Sequence, residues 1–191
     1  MKKFTLFAFC LLAFIAPLFA APDFQIKKVD VAFISSPEYS TNPPIHQARA
    51  EKWMEVEVTF SAAPAFTDEL TFNYYILFAK RLFVGHVTHV GIPGGTKGQE
   101  LRSVAYVSPA AINEILAGQP LNVGALGQVS VTITKAGISA PIDVKSFKPG
   151  ATGEWWATMK QEEGFVVNKS ETPFAPLYWD RYVALKPAAT H

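Results

Sequence analysis

The sequence predicts a mainly β protein, an antiparallel β-sandwich with one short helix and an aromatic-rich C-terminal arm. Three observations carry this reading. Apolar residues recur at every second position through much of the chain, turn-forming residues punctuate those runs at short spacing, and one stretch alone has the start and stop signals of a helix. Period two means strand because successive side chains point to opposite faces of a sheet.

The first strand is expected over 24–33. Phe24 and Ile26 share one parity and Val29, Val31 and Phe33 the other, so a β-bulge is expected at Lys27-Lys28. Ser35 to Ile45 is rich in Ser, Asn and Pro and reads as a surface loop. Over 53–60, Met54, Val56, Val58 and Phe60 form a buried face, with Glu55, Glu57 and Thr59 on a wet one. Ala63-Pro64 and Asp68-Glu69 mark the next turn. Leu70 to Ala79 places Leu70, Phe72, Tyr74, Ile76 and Phe78 on one face, and Tyr75 with Leu77 on the other, so a central strand is expected.

Leu82 to Val90 reads as a strand, Gly91 to Gly98 as a hairpin turn, and Glu100 to Val107 as the antiparallel return. Ser108-Pro109 supplies an N-cap and first helical residue, Ala110 to Ala117 a short helix, and Gly118 its stop. Gln128 to Lys135 and Ile138 to Lys145 alternate again and are expected to form a hairpin across Ala136-Gly137. With about seven strands at this spacing, the pattern fits an immunoglobulin-like sandwich, and a closed barrel is the rival. The expected division is 1–21 signal peptide, 22–148 sandwich and 149–191 C-terminal arm. That arm holds Trp155, Trp156, Phe165, Phe174, Tyr178, Trp179 and Tyr182, with Pro173, Pro176 and Pro187 limiting regular structure.

Lys2 and Lys3, the uncharged run Phe4 to Phe19, and Ala20-Ala21 have the layout of a secretory signal peptide. A retained anchor is the alternative, although the run is short for a spanning helix and Pro17 interrupts its end. Export to the periplasm or outer membrane is therefore expected. Phe9 before Cys10 argues against lipidation, and the lack of a Gly before Phe4 argues against a prepilin site. Cys10 is the only cysteine and would leave with the signal, so no disulfide is expected. Removing Lys2 and Lys3 from 17 basic residues leaves 15 against 16 acidic ones. With no basic stripe, nucleic acid is a poor partner.

No catalytic, cofactor or metal site is expected. His86 and His89 are three apart on a strand, so they point to opposite faces, and His46 could join them only from a loop. Gly91 to Gly98 lacks the Lys-Ser or Lys-Thr and following helix of a phosphate loop. Glu55 and Glu57 could form a glycosidase pair, yet their alternation is also that of any solvated strand face. Asn168-Lys169-Ser170 matches a glycosylation sequon, read here as coincidence. The aromatic arm offers the contact candidates Trp155, Trp156, Tyr178, Trp179 and Tyr182. Such rings either complete the core or meet a partner or glycan.

The stretches Trp53 to Phe60, Asp68 to Tyr75, Gly85 to Val90 and Ser103 to Pro109 together resemble the verrucomicrobial immunoglobulin-like proteins encoded with type IV pilus-like genes, such as those of Akkermansia muciniphila. The resemblance spans about residues 24–160 and contains no catalytic motif. It implies a non-enzymatic structural or binding component beside a secretin-like outer-membrane apparatus. Envelope proteins of that assembly are then the expected partners, with homo-oligomers through sheet edges as a further expectation. A soluble carbohydrate-binding protein using the C-terminal tryptophans is the alternative.

Overall fold

The computed structural model describes residues 22–39, 50–96, 98–138, 140–150 and 153–187. The expected signal segment, His46 and most of the Ser/Asn/Pro loop lie outside the described residues. Among the described residues, nine strands form two sheets facing each other, which is a sandwich rather than a closed barrel. One sheet has the order β1-β2-β5-β9, with β1 at Phe24–Ser35, β2 at Lys52–Ala62, β5 at Leu101–Val107 and β9 at Val166–Asn168. The other has the order β7-β6-β3-β4-β8, with β3 at Phe66–Phe78, β4 at Arg81–Pro93, β6 at Leu126–Thr134, β7 at Asp143–Ser146 and β8 at Gln161–Glu162.

Period two sets which residues meet between the sheets. Met54, Val56, Val58 and Phe60 of β2 face Leu70, Phe72, Tyr74, Ile76 and Phe78 of β3 in one core, all fully buried. The bulge in β1 falls between Ile26 and Lys28, and β3 is central between β4 and β6. The turn from β3 to β4 is the tight pair Ala79-Lys80, both at positive φ, as a two-residue hairpin with primed geometry requires. The helix α1, Pro109–Ile115, is capped by Ser108, whose hydroxyl accepts from the Ala111 N–H.

Four local expectations are corrected. Asp68 and Glu69 lie inside β3, and the turn before it is Ala63 to Ala65. Gly91 to Gly98 does not close a hairpin: Gly91 to Pro93 end β4, where Ile92 and Pro93 pair with β3, and because β5 pairs with β2 the chain then passes from one sheet to the other. Gly94 is required there, because a Cβ would lie 2.3 Å from the Pro64 carbonyl oxygen. Alternation within each strand suits either partner, so local pattern cannot tell a hairpin from a crossing. The partner of β6 is as expected, but pairing begins at Asp143 rather than Ile138, after a longer loop. Finally, the outer face of β2 is not wet, since Glu57 and Thr59 are buried.

The C-terminal segment explains that burial. It runs along β4 as the parallel strand β8, then crosses to β5 as the antiparallel strand β9. Gly85 makes room for the crossing: a Cβ there would lie 2.5 Å from Val166. Farther on, Val183 N donates to Arg102 O at 3.2 Å, Val90 N to Ala184 O at 3.0 Å and Lys186 N to Thr88 O at 2.8 Å. One short stretch thus bonds both sheets and covers the side of the sandwich between β4 and β5. The strand edges left there are only two and three residues long, which limits pairing with another chain.

Candidate functional site

The C-terminal segment divides the aromatic candidates into two groups. Trp156 is buried and stacks on Tyr75 of β3, with ring centroids 4.4 Å apart and planes 14° from parallel. Trp155 meets Trp156 edge-on, and its Nε1–H donates to Ser130 Oγ at 2.8 Å. These two rings cover the outer face of the five-stranded sheet, where period two alone would put Ser130 and Thr132 in water; both are buried. Phe174 stacks on Tyr106 at 4.9 Å on the opposite outer face, and Trp53 packs against both edge-on. In contrast, Tyr178 is 64% and Trp179 80% exposed. Of the five candidates, those two present large free ring area.

Tyr182 holds the exposed pair in place through Glu57. The Glu57 carboxylate accepts from Tyr182 Oη at 2.7 Å, Arg181 Nη2 at 2.7 Å and Arg102 Nη1 at 2.5 Å. Burial works against its charge, but the hydrogen bonds from Tyr182 and Arg181, with the charges of Arg181 and Arg102, outweigh it and hold the carboxyl below its ordinary range. Two residues along the same face, Glu55 accepts from Tyr106 Oη at 2.9 Å. Burial dominates there, and the nearby Glu57 charge adds to it, so Glu55 lies above its ordinary range. The two carboxylates are therefore not equivalent: one anchors the arm and the other remains near the surface.

A second polar chain crosses the interior. His89 Nδ1 lies 3.0 Å from Val183 O, and a carbonyl can only accept, so this nitrogen carries the proton. Nε2 then accepts from Ser103 Oγ at 2.6 Å, and Ser103 Oγ accepts from Tyr74 Oη at 2.7 Å. Tyr74, Ser103 and His89 belong to β3, β5 and β4, so the chain links both sheets and ends on the arm. Burial pushes the His89 imidazole down to about 4, against backbone hydrogen bonds that favour its charge. His86 lies on the opposite face of β4, exposed, with Nδ1 2.7 Å from Asn73 Oδ1. The side chain of Asn168, from the sequon, caps a short turn by accepting from Ser170 N at 2.8 Å.

A cleft of about 420 Å³ opens between the end of β1, the outer face of β2 and β5, and the segment from Phe174 to Tyr182. Glu55, Tyr106, Tyr178 and Arg181 contribute its polar and aromatic walls. Sequence reasoning assigned Glu55 and Glu57 to a solvated face and did not connect them with Arg181 or Tyr182. Those pairs are separated by more than a hundred positions, and no local pattern marks them. The available signal was the aromatic content of a stretch that Pro173 and Pro176 keep from regular structure; Phe174 and Tyr182 are packed and Tyr178 is left exposed.

A family model matches residues 19–189 of the chain. The fold is similar to the crystal structure of a protein from Akkermansia muciniphila, at 21% sequence identity and a TM-score of 0.71, covering 87% of this chain and 94% of that one. No curated protein matches the chain.

Proposed function

Because the chain belongs to the family whose model spans residues 19–189, we propose that it is an exported, non-enzymatic structural or binding component of a type IV pilus-like or outer-membrane secretin apparatus, built on an immunoglobulin-like sandwich. The observation that carries this reading is the exposed pair Tyr178-Trp179, held beside a carboxylate that takes three hydrogen bonds. Large rings on a fixed support bury area on a partner at low entropic cost. Export rests on the basic and apolar pattern of residues 2–21. No helix among the described residues is long and apolar enough to cross a membrane.

The test is a pull-down of the chain from detergent-solubilised envelopes of its own organism, read by mass spectrometry, beside Trp179→Ala. Enrichment of secretin or pilus-assembly proteins that is lost in the variant supports the reading. Recovery of the same proteins by both chains moves the contact away from Trp179, and recovery of no such protein by either removes the assembly role. The second reading, a carbohydrate-binding protein, is favoured by the exposure of Trp179. Trp155 and Trp156 are already engaged by Ser130 and Tyr75 and offer no free stacking face of comparable size.

A further inference from the structure

We propose that the cleft walled by Glu55, Tyr106, Tyr178 and Arg181 binds an uncharged pyranose unit, a site separate from the Trp179 surface. The inference deepens the carbohydrate reading above and does not depend on the assembly role. Its volume, about 420 Å³, is that of small-molecule sites, which run from about 300 to 1,000 Å³.

The chemistry of the walls selects the ligand. Glu55 uses one acceptor position for Tyr106 Oη, and a carboxylate has about four. Arg181 commits one Nη to Glu57, and a guanidinium carries five N–H donors. Acceptor and donor therefore stand in the same cleft. A cationic ligand would meet Arg181 and an anionic one would meet Glu55, while Glu57, which also lines the cleft, is already matched by Arg181 and Arg102, so neither sign is favoured. A sugar hydroxyl donates and accepts at once, and neighbouring hydroxyls on a pyranose ring can meet both groups. The Tyr178 ring supplies the apolar face that a pyranose stacks on.

Tyr178 also holds an unusual backbone conformation, with φ of +52°. A bulky side chain there is strained by about 1–3 kcal/mol, and such strain gathers at ligand clamps. The cost is offset locally, because Arg181 N donates to Tyr178 O at 3.1 Å and the next residues are pinned to Glu57. The turn thereby keeps the ring at the mouth of the cleft while Trp179, its neighbour, points to another surface beside Lys169 and Leu185.

The experiment is an NMR titration of the full chain with glucose, galactose, mannose and N-acetylglucosamine, and with glucosamine and glucuronate as charged controls. Tyr178→Gly suits the positive φ and removes the ring, and Glu55→Gln keeps an acceptor for Tyr106, so both variants are expected to fold. Saturable shifts with a neutral sugar, weakened at least about tenfold in both variants and unchanged in Trp179→Ala, are the expected result. No saturation by any neutral sugar overturns the proposal, as does tighter binding of either charged control. Binding that is lost in Trp179→Ala but kept in Tyr178→Gly also overturns it, and leaves the carbohydrate reading standing on Trp179.

Discussion

The seven strands from Phe24 to Ser146 and the segment from Glu154 to Lys186 are held by different physics. The strands bury a continuous apolar layer, in which Phe60 and Phe72 pack at 4.8 Å. The later segment contributes only five strand residues. It is fastened at separate points: the Trp156–Tyr75 stack, the Phe174–Tyr106 stack, the Glu57 carboxylate and the His89 ring. Burial of area is spread over many residues and is cooperative, whereas point fastenings can be released one at a time. The expectation is a frame that unfolds as a whole under a covering that loosens in part, although Phe165, Val166, Val183 and Leu185 also pack against the main core.

The sharpest test of that difference is Phe72→Ala. The ring is fully buried between the sheets, and its loss is expected to lower global stability by about 3–5 kcal/mol, read from the denaturation midpoint. Trp156→Ala is expected to cost about 3 kcal/mol, the low end for a buried ring. Its effect should fall on hydrogen exchange at β8 and the outer face of β4, with β2 and β3 protected as before. Equal loss of protection throughout would show that segment and frame form one cooperative unit.

Acid should act first on the fastenings. Folded His89 refuses a proton until about pH 4, while the unfolded chain takes one up near 6.5. Stability is then full above about pH 6.5 and declines as pH falls toward about 4, by at most about 3 kcal/mol from this group. Glu57, held below its ordinary range, adds a further loss in more acid solution, as its carboxylate is protonated. Denaturation midpoints across that window should fall in the unaltered chain and stay flatter in His89→Gln. An identical slope in both would place the pH response elsewhere. The smallest effect on stability is expected from Trp179→Ala. Its ring is 80% exposed, so a change within about 0.5 kcal/mol is predicted, and any phenotype should be in binding alone. A large drop in midpoint would mean that Trp179 supports the fold.

Much of the frame was legible in the sequence. The two faces of β2 and β3, the bulge at Lys27-Lys28, the Ser108-Pro109 helix start and the central place of β3 all follow from residues close in the chain. Period two and capping are local consequences of strand and helix geometry, so a single sequence carries them. The aromatic character of the C-terminal segment was equally plain, and so was the opposed direction of His86 and His89. Which sheet β5 joins was not legible, because β4 and β2 are both acceptable neighbours for an alternating strand. Nor was the fate of each ring: Trp156 and Trp179 look alike in sequence, and one is buried while the other is free. The same holds for Glu55 and Glu57, adjacent on one strand face, which part company only when Arg181 and Tyr182 fold back over them. The sequence by itself determined which residues face inward on β2, β3 and β6, whereas Ile138 and Val144, on the alternating stretch expected to pair with β6, are exposed. The tertiary structure alone decided which outward faces are covered, since that depends on contacts between residues far apart in the chain, from 25 positions for Trp155 and Ser130 to 125 for Glu57 and Tyr182, whose pairing is set by the path of the whole chain.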